Sequence, residues 1–266
     1  MKVKNTNQLN VREIGRGADV VLLHGWGLNC GIFDTFAVEL GKSHKVSLID
    51  LPGYGENNGL IPQQYSLEAV AHQVADVIPA GAILTGWSLG GLIAQKVALL
   101  YPEKVAKLCL VTTSPKFASD RSESWFGIEP SVLTAFKNQL KGSYKKTLDR
   151  FMAIQAMGSA TAKSDIARIR ETVAQYPEPH PEALEKGLDI LLNEDLRDAI
   201  PNLIQPTLRL YGRLDSLVPH KSAPLIASLH SASKTIILDK ASHAPFISHP
   251  ADFFKVFSEF INENKM

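Results

Sequence analysis

The sequence predicts an α/β fold: a mostly parallel central sheet flanked by helices, with an inserted α-helical lid. Three observations carry this. Short apolar runs bounded by glycine or turn-forming residues recur along the chain. Helix-length segments fall between several of them, and one long span contains no convincing strand.

Taken in order, "VREIGRG" (11–17) reads as a short strand ending in a turn. "ADVVLLHG" (18–25) is an apolar run closed by glycine, which suits a strand buried on both faces of a parallel sheet. "HKVSLIDLPG" (44–53), "GAILTGW" (81–87), "KLCLVTTSP" (107–115), "TLRLYG" (207–212) and "KTIILD" (234–239) repeat that form. Helices are expected at "SLEAVAHQVADVI" (66–78), "LIAQKVALLYP" (92–102) and "HKSAPLIASLH" (220–230). "PADFFKVFSEFINENK" (250–265) closes the chain as an amphipathic helix, with Pro250 in its first turn.

Between residues 116 and 200 the alternation stops, and helices separated by Gly142, Gly158 and "YPEPHPEA" (176–183) take over. Some 85 residues are too many for a loop between two strands. The expected organisation is therefore a core of residues 1–115 and 201–266, interrupted by a helical lid at 116–200.

The 266 residues suffice for one large domain with an insertion, and 45% hydrophobic with 21% charged residues is ordinary globular composition. A net charge of +1 points to neither nucleic acid nor a membrane surface. Cys30 and Cys109 form no disulfide framework and fit no metal spacing, so both are expected as small core residues. The polar start "MKVKNTNQLN" lacks the apolar core of a signal peptide, and no run approaches a membrane helix. A cytoplasmic protein is expected, acting as a monomer without metal or cofactor, and away from nucleic acid and membrane.

One stretch carries chemistry. Gly86-Trp87-Ser88-Leu89-Gly90 fits G-x-S-x-G, and a strand precedes it while a helix follows, as a nucleophile elbow requires. The glycines allow a turn tight enough to strain Ser88, where a Cβ on either flank would collide with neighbouring strands. The bland alternative is a strand-to-helix turn with an N-capping serine. A serine hydroxyl needs a base beside it, and that base needs a carboxylate to orient it. In this arrangement acid and then histidine follow the serine, each just past a strand end. Asp215 follows "TLRLYG" and His243 follows "KTIILD".

Rival residues fit less well. Asp195 and Asp198 fall in a helical segment before the strand, and Asp239 ends its own strand too near the histidine loop. His249 sits at the start of the last helix. His44, His72, His180, His220 and His230 read as surface or strand-edge residues. The backbone N–H groups of Leu89 and of Trp26, in "LLHGWGLN" (22–29), are the expected donors to a tetrahedral oxyanion. His24 reads as a structural part of that loop, "DLPGYGEN" (50–57) as a tight turn at Asp50, and Trp87 as a wall of the acyl pocket.

The lid has its own pattern. Lys137, Lys141, Lys145, Lys146, Arg150, Lys163, Arg168 and Arg170 face only Asp149 and Asp165 between residues 137 and 170. The plain alternative is a solvated helix face of mixed charge; the one-sided imbalance suits an acidic partner approaching the mouth of the site. Tyr144, Leu148, Phe151, Met152 and Gln155 recur on one helix face.

At these residues the chain resembles the α/β-hydrolase superfamily along essentially its whole length. "LLHGWGLN", "DLPGYG", "GWSLGGL", "LRLYGRLDSLVP" and "ASHAPFISHP" together are similar to the pimeloyl-acyl-carrier-protein methyl ester carboxylesterases of biotin biosynthesis. That resemblance implies hydrolysis of the methyl ester on a pimeloyl chain borne by acyl-carrier protein. It also implies Ser88 as nucleophile, His243 as general base and acid, and Asp215 as its orienter. Trp26 and Leu89 would bind the substrate and give the oxyanion N–H groups, and Phe151 would line the acyl channel. The family's carrier-docking arginines match Lys146, Arg150 and Lys163. One expected arginine falls at or near Ala167, and whether Arg168 and Arg170 compensate depends on which helix face they occupy. Two other readings remain open at this stage. One is a short-chain ester or carbon–carbon bond hydrolase of the same superfamily, and the other a non-enzymatic hydrolase-fold receptor.

Overall fold

The computed structural model describes residues 8–155 and 161–263. Seven strands form one sheet: β1 (Val11–Ile14), β2 (Asp19–Leu23), β3 (Lys45–Ile49), β4 (Ala82–Trp87), β5 (Val105–Val111), β6 (Thr207–Gly212) and β7 (Ser233–Leu238). Their spatial order is β1-β3-β2-β4-β5-β6-β7, with β1 antiparallel to β3 and the other pairs parallel. Each expected strand is present, generally shorter than the apolar run that announced it.

Ten helices accompany the sheet among the described residues. Along the first half of the chain run α1 (Asp34–Leu40), α2 (Leu67–Val77) and α3 (Leu89–Leu100). Then come α4 (Pro130–Leu140), α5 (Tyr144–Gln155), α6 (Ala162–Val173) and α7 (Pro181–Asn193). The last three are α8 (Ala223–Leu229), α9 (Pro245–Ser248) and α10 (Pro250–Asn262). Ser66 caps α2 by accepting from the Ala69 N–H, and Pro250 occupies the first turn of α10. The short helix α1 has no counterpart in the sequence reading, because seven residues are too few for a clear helical period.

Side-chain alternation along the strands builds two cores. Val21, Leu23, Leu84, Leu108 and Leu110 face α2 and α3. Val20, Leu22, Ile83, Cys109 and Val111 face α1 and α10, with Phe253 and Phe257 filling that side. Both cysteines are buried and unpaired. Helices α4 to α7 lie between β5 and β6, and among the described residues that span holds two isolated bridges, Ala118 with Ile128 and Asp120 with Trp125. Gly142 separates α4 from α5 as expected, whereas Gly158 lies outside the described residues. Phe136, Phe151, Leu184 and Leu188 join α4, α5 and α7 to the first core. Among the described residues no helix is long and apolar enough to cross a membrane.

Sheet order fixes where a site can form. From β2 the chain moves outward to β3, then returns to lay β4 on the other side of β2. Connections leave the sheet in opposite directions at that point, so a crevice opens beyond the carboxyl ends of β2 and β4. The segments starting at His24 and Ser88 leave the sheet there.

Candidate active site

Ser88 lies between β4 and α3 with φ 55° and ψ −122°, a backbone conformation that L-residues rarely adopt. A Cβ on Gly86 would stand 2.3 Å from the Gly90 oxygen, and one on Gly90 would stand 2.5 Å from the Leu23 oxygen. The Gly90 collision is with a neighbouring strand, as expected. The Gly86 collision is with the start of α3, because the turn folds the helix back onto β4.

His243 lies in the loop after β7. Its Nε2 is 2.9 Å from Ser88 Oγ, and its Nδ1 is 2.8 Å from Asp215 Oδ2. The carboxylate oxygen accepts a hydrogen bond, so Nδ1 carries the hydrogen and donates it, and Nε2 is left to accept from the serine. The other Asp215 oxygen accepts from the Leu217 and Val218 N–H groups at 2.8 and 3.0 Å, which locks the carboxylate. All three side chains are buried. The structure thus brings together the three residues singled out in the sequence, as one relay ending on a hydroxyl.

Leu89 follows Ser88 in the chain, and Trp26 follows Gly25, which packs on Ser88. A Cβ on Gly25 would meet the Ser88 Cβ at 3.1 Å, so the loop after β2 rests directly on the serine. Among the described residues neither the Trp26 nor the Leu89 backbone N–H has a hydrogen-bond partner. Leu89 begins α3, a helix of 12 residues, whose N-terminal dipole favours negative charge at the same place. His24 holds the loop from below. Its Nδ1 donates to the Gly25 carbonyl, and its Nε2 accepts from the Leu51 N–H. That acceptor role makes its 3.9 Å approach to Asp50 a contact of a neutral ring, and burial lowers the His24 pKa accordingly. Asp50 instead ties down the Cys30 and Glu56 N–H groups, the tight turn expected there.

Phe151 on α5 meets the Trp26 ring edge to face, 4.7 Å between centroids, and the Phe136 ring at 5.7 Å. Leu148 covers Gly27, where an added Cβ would stand 2.5 Å from its Cδ2. Helix α5 therefore lies over the loop that supplies the Trp26 N–H. Beside it, a groove of about 330 Å³ runs between α5, α6 and the 174–179 segment, with Gly27, Leu148, Met152, Val173 and Tyr176 among its walls.

Trp87 differs from expectation. It belongs to the α1/α10 side of the sheet, packed against Phe246 and Phe33, and is fully buried rather than part of an acyl wall. The residue before the elbow serine points to the face opposite Leu89 and Phe151, by simple strand alternation. Its Nε1 donates to the His243 carbonyl at 2.7 Å.

The cations between residues 137 and 170 divide into two sets. Lys145 pairs with Glu178, Arg170 with Asp149, and Lys137 with Glu185 and Asp189. Glu178, Glu185 and Asp189 lie beyond residue 170, so the run from 137 to 170 overstated the free charge. Among the described residues Lys141, Lys146, Arg150, Lys163 and Arg168 have no ion-pair partner. Of these, Arg150 reaches Gln139 Oε1 and the Phe136 ring, and Arg168 reaches Thr35 Oγ1.

The rival residues are otherwise engaged. Asp239 pairs with Arg213, and Asp195 with Arg197 and Lys116. Asp195 and Asp198 follow the end of α7 rather than lying within a helix, since that helix stops at Asn193. His249 stands at the start of α10. His72 and His180 are exposed and His220 half-buried, but His44 and His230 are buried. The turn carrying Gly15 and Gly17 lies over the His44 backbone, which no local pattern announces. Gln155, at the end of α5, was read only as part of an apolar face. Its carbonyl accepts from the His243 N–H at 3.2 Å and from Ser242 Oγ at 3.0 Å.

Comparison with known proteins agrees with this architecture. The family model of the α/β hydrolase fold matches residues 20–250. A pimeloyl-[acyl-carrier protein] methyl ester esterase from Aeromonas hydrophila is 45% identical over 253 residues, covering 95% of this chain and 99% of that protein. One of the same name from Pseudoalteromonas atlantica is 48% identical over 246 residues, covering 92% of this chain and 95% of that protein. Among solved structures, an esterase from Exiguobacterium antarcticum superposes with a TM-score of 0.85 at 24% identity, covering 96% of each chain, a likeness of fold. By fold and by sequence over nearly its whole length, the chain belongs to the α/β hydrolases and, within them, to the pimeloyl-[acyl-carrier protein] methyl ester esterase family.

Proposed function

We propose that this chain is a serine carboxylesterase that hydrolyses the methyl ester of pimeloyl-acyl-carrier protein in biotin synthesis. The observation that carries the chemistry is the continuous relay Ser88 Oγ–His243 Nε2, His243 Nδ1–Asp215, with distances of 2.9 and 2.8 Å. The substrate class is supported by the relatives' names and by the unpaired lid cations.

In the proposed mechanism, His243 Nε2 takes the Ser88 proton as Oγ attacks the ester carbonyl carbon. The carbonyl oxygen becomes an oxyanion held by the Trp26 and Leu89 N–H groups; losing one such donor typically costs about 10²–10³ in rate. His243 returns the proton to the methoxy oxygen, methanol leaves, and Ser88 keeps the acyl group. Water then gives its proton to His243 and attacks the acyl carbon. Ser88 Oγ departs with the proton from His243, freeing the pimeloyl carboxylate. No metal or cofactor is called for.

Residues 116–200 act as the lid in this reading, with Phe151 against the acyl chain. Lys146, Arg150, Lys163 and Arg168 dock the acidic carrier. Arg170 contributes less, since Asp149 already neutralises it. Docking would hold the thioester outside, several bonds from Ser88. The reaction is assigned to the cytoplasm and to a monomer.

The test is incubation with methyl-pimeloyl-acyl-carrier protein, following loss of the methyl group by mass spectrometry. Demethylation by the wild type and none by Ser88→Ala is expected. Brisk hydrolysis of small esters with no demethylation would overturn the carrier-protein substrate.

A further inference from the structure

Two neighbouring threonines beyond β5 hold the backbones of both the serine and the histidine. Thr112 Oγ1 donates to the His243 carbonyl at 2.7 Å, and Thr113 Oγ1 donates to the Ser88 carbonyl at 2.7 Å. Both are buried. Trp87 Nε1 donates to the same His243 oxygen, so that carbonyl has two donors, one from the end of β4 and one from beyond β5.

The conformation of Thr112 makes this more than incidental bonding. Its φ is 41°, in the left-handed region, where a β-branched residue is a genuine outlier and strained. Such strain persists only where the surroundings over-determine it. Here the Thr112 N–H is tied to the Leu210 carbonyl of β6 at 2.7 Å while its hydroxyl is tied to His243. Strand β5 lies between β4, which ends at the serine, and β6, whose terminal Gly212 packs on the histidine loop at Ala241 and Ser242. Successive side chains here still point to opposite faces, as strand alternation gives. Thr113 lies against Gly91 of α3 and Thr112 shares the His243 carbonyl with Trp87, so adjacent hydroxyls on opposite sides reach two segments 155 residues apart in sequence.

We propose that Thr112 and Thr113 are positioning residues that set the separation between the Ser88 hydroxyl and the His243 imidazole. This rests on the proposed role of that pair as nucleophile and base. Thr112 and Trp87 hold the histidine peptide from its carbonyl side, and Thr113 holds the serine peptide. Misplacing reacting groups by about 1 Å can cost about 100-fold in rate, so loss of either hydroxyl acts on turnover more than on binding.

The experiment compares Thr112→Val and Thr113→Val, which keep the branched shape, with Thr112→Ser and Thr113→Ser, which keep the hydroxyl. Turnover of a p-nitrophenyl ester and the low-field proton resonance of the His243 Nδ1–H are read for each, beside Tm. The valine variants are expected to lose about 10-fold or more in kcat, with KM within about two-fold. Their His243 resonance should broaden or vanish, and the serine variants should recover most of both properties. Valine variants with kcat within two-fold of wild type, an unchanged resonance and only a lowered Tm would overturn the proposal. Should Thr112→Val fail to fold, Trp87→Phe removes the other donor to the same oxygen, and an unaltered kcat and resonance there would count equally against it. The p-nitrophenyl ester and the resonance make no use of the carrier-bound substrate. A wild type that turns over this ester but not methyl-pimeloyl-acyl-carrier protein loses the proposed substrate and leaves this inference standing.

Discussion

The Phe151 ring of the inserted helices stands edge-on to the Trp26 ring of the loop after β2, at 4.7 Å between centroids. This contact joins the proposed acyl-binding aromatic to the loop proposed to stabilise the oxyanion. Aromatic pairs add about 0.5–1.5 kcal/mol beyond their buried area, and truncating a buried Phe costs about 3–5 kcal/mol. Phe151→Ala is therefore expected to lower Tm by several degrees and to raise KM for the carrier-bound ester. Phe151→Leu should keep much of the stability. Thermal unfolding and steady-state kinetics on both variants check this; an unchanged KM in Phe151→Ala would remove Phe151 from the acyl path.

Ser88 pays for its reach with backbone strain. Glycine tolerates φ 55° and ψ −122° better than serine, so Ser88→Gly is expected to abolish turnover and raise Tm. The gain should be on the order of 1 kcal/mol, less glycine's larger entropy in the unfolded chain. Calorimetry of the inactive variant reads it directly, and a Tm below wild type would show that the strain is not relieved there.

Asp215 holds two backbone N–H groups with one oxygen and His243 with the other. Asp215→Asn can keep its carbonyl on the Leu217 and Val218 N–H groups while its amide donates toward His243 Nδ1. That selects the opposite imidazole tautomer, leaving Nε2 protonated and unable to accept from Ser88. A loss of about 10⁴ in kcat with little change in Tm is expected. Retention of more than a tenth of wild-type kcat would argue against the orienting role.

Charge reversal should separate the cations of α5, α6 and their flanks by their partners. Lys146→Glu, Arg150→Glu and Lys163→Glu are expected to raise KM for the carrier-bound ester several-fold, increasingly at low salt, and to spare small esters. Lys145→Glu should act more weakly, because Glu178 already offsets that charge. Kinetics at two ionic strengths test the contrast, and equal effects from paired and unpaired positions would remove the docking assignment.

Buried His24 gives a pH dependence with a definite sign. Burial lowers its folded pKa below the ordinary 6.5, so the unfolded chain takes up a proton first as the solution is acidified. The stability from the neutral ring is complete above about pH 6.5 and falls as pH drops toward the lower folded pKa. The slope reaches at most about 1.4 kcal/mol per pH unit. Tm measured from pH 7.5 to 5 should fall, and less steeply in His24→Asn. Equal slopes in the two proteins would place the acid sensitivity elsewhere.

The sequence by itself determined the alternation of strands and helices, the elbow at Ser88, and the positions of Asp215 and His243. Each of these is a local signal: apolar runs closed by glycine, and residues placed just past strand ends. The tertiary structure alone decided which face of the sheet receives Trp87. A strand with apolar residues on both sides offers no polarity contrast to mark the side of the site. It alone decided which cations between residues 137 and 170 remain without an ion-pair partner among the described residues, since Lys137 meets Asp189 across 52 positions in sequence. The grip of Thr112 and Thr113 on two distant loops is likewise absent from any local pattern. A hydroxyl beside a strand end looks like any other until folding brings a carbonyl from far along the chain within reach.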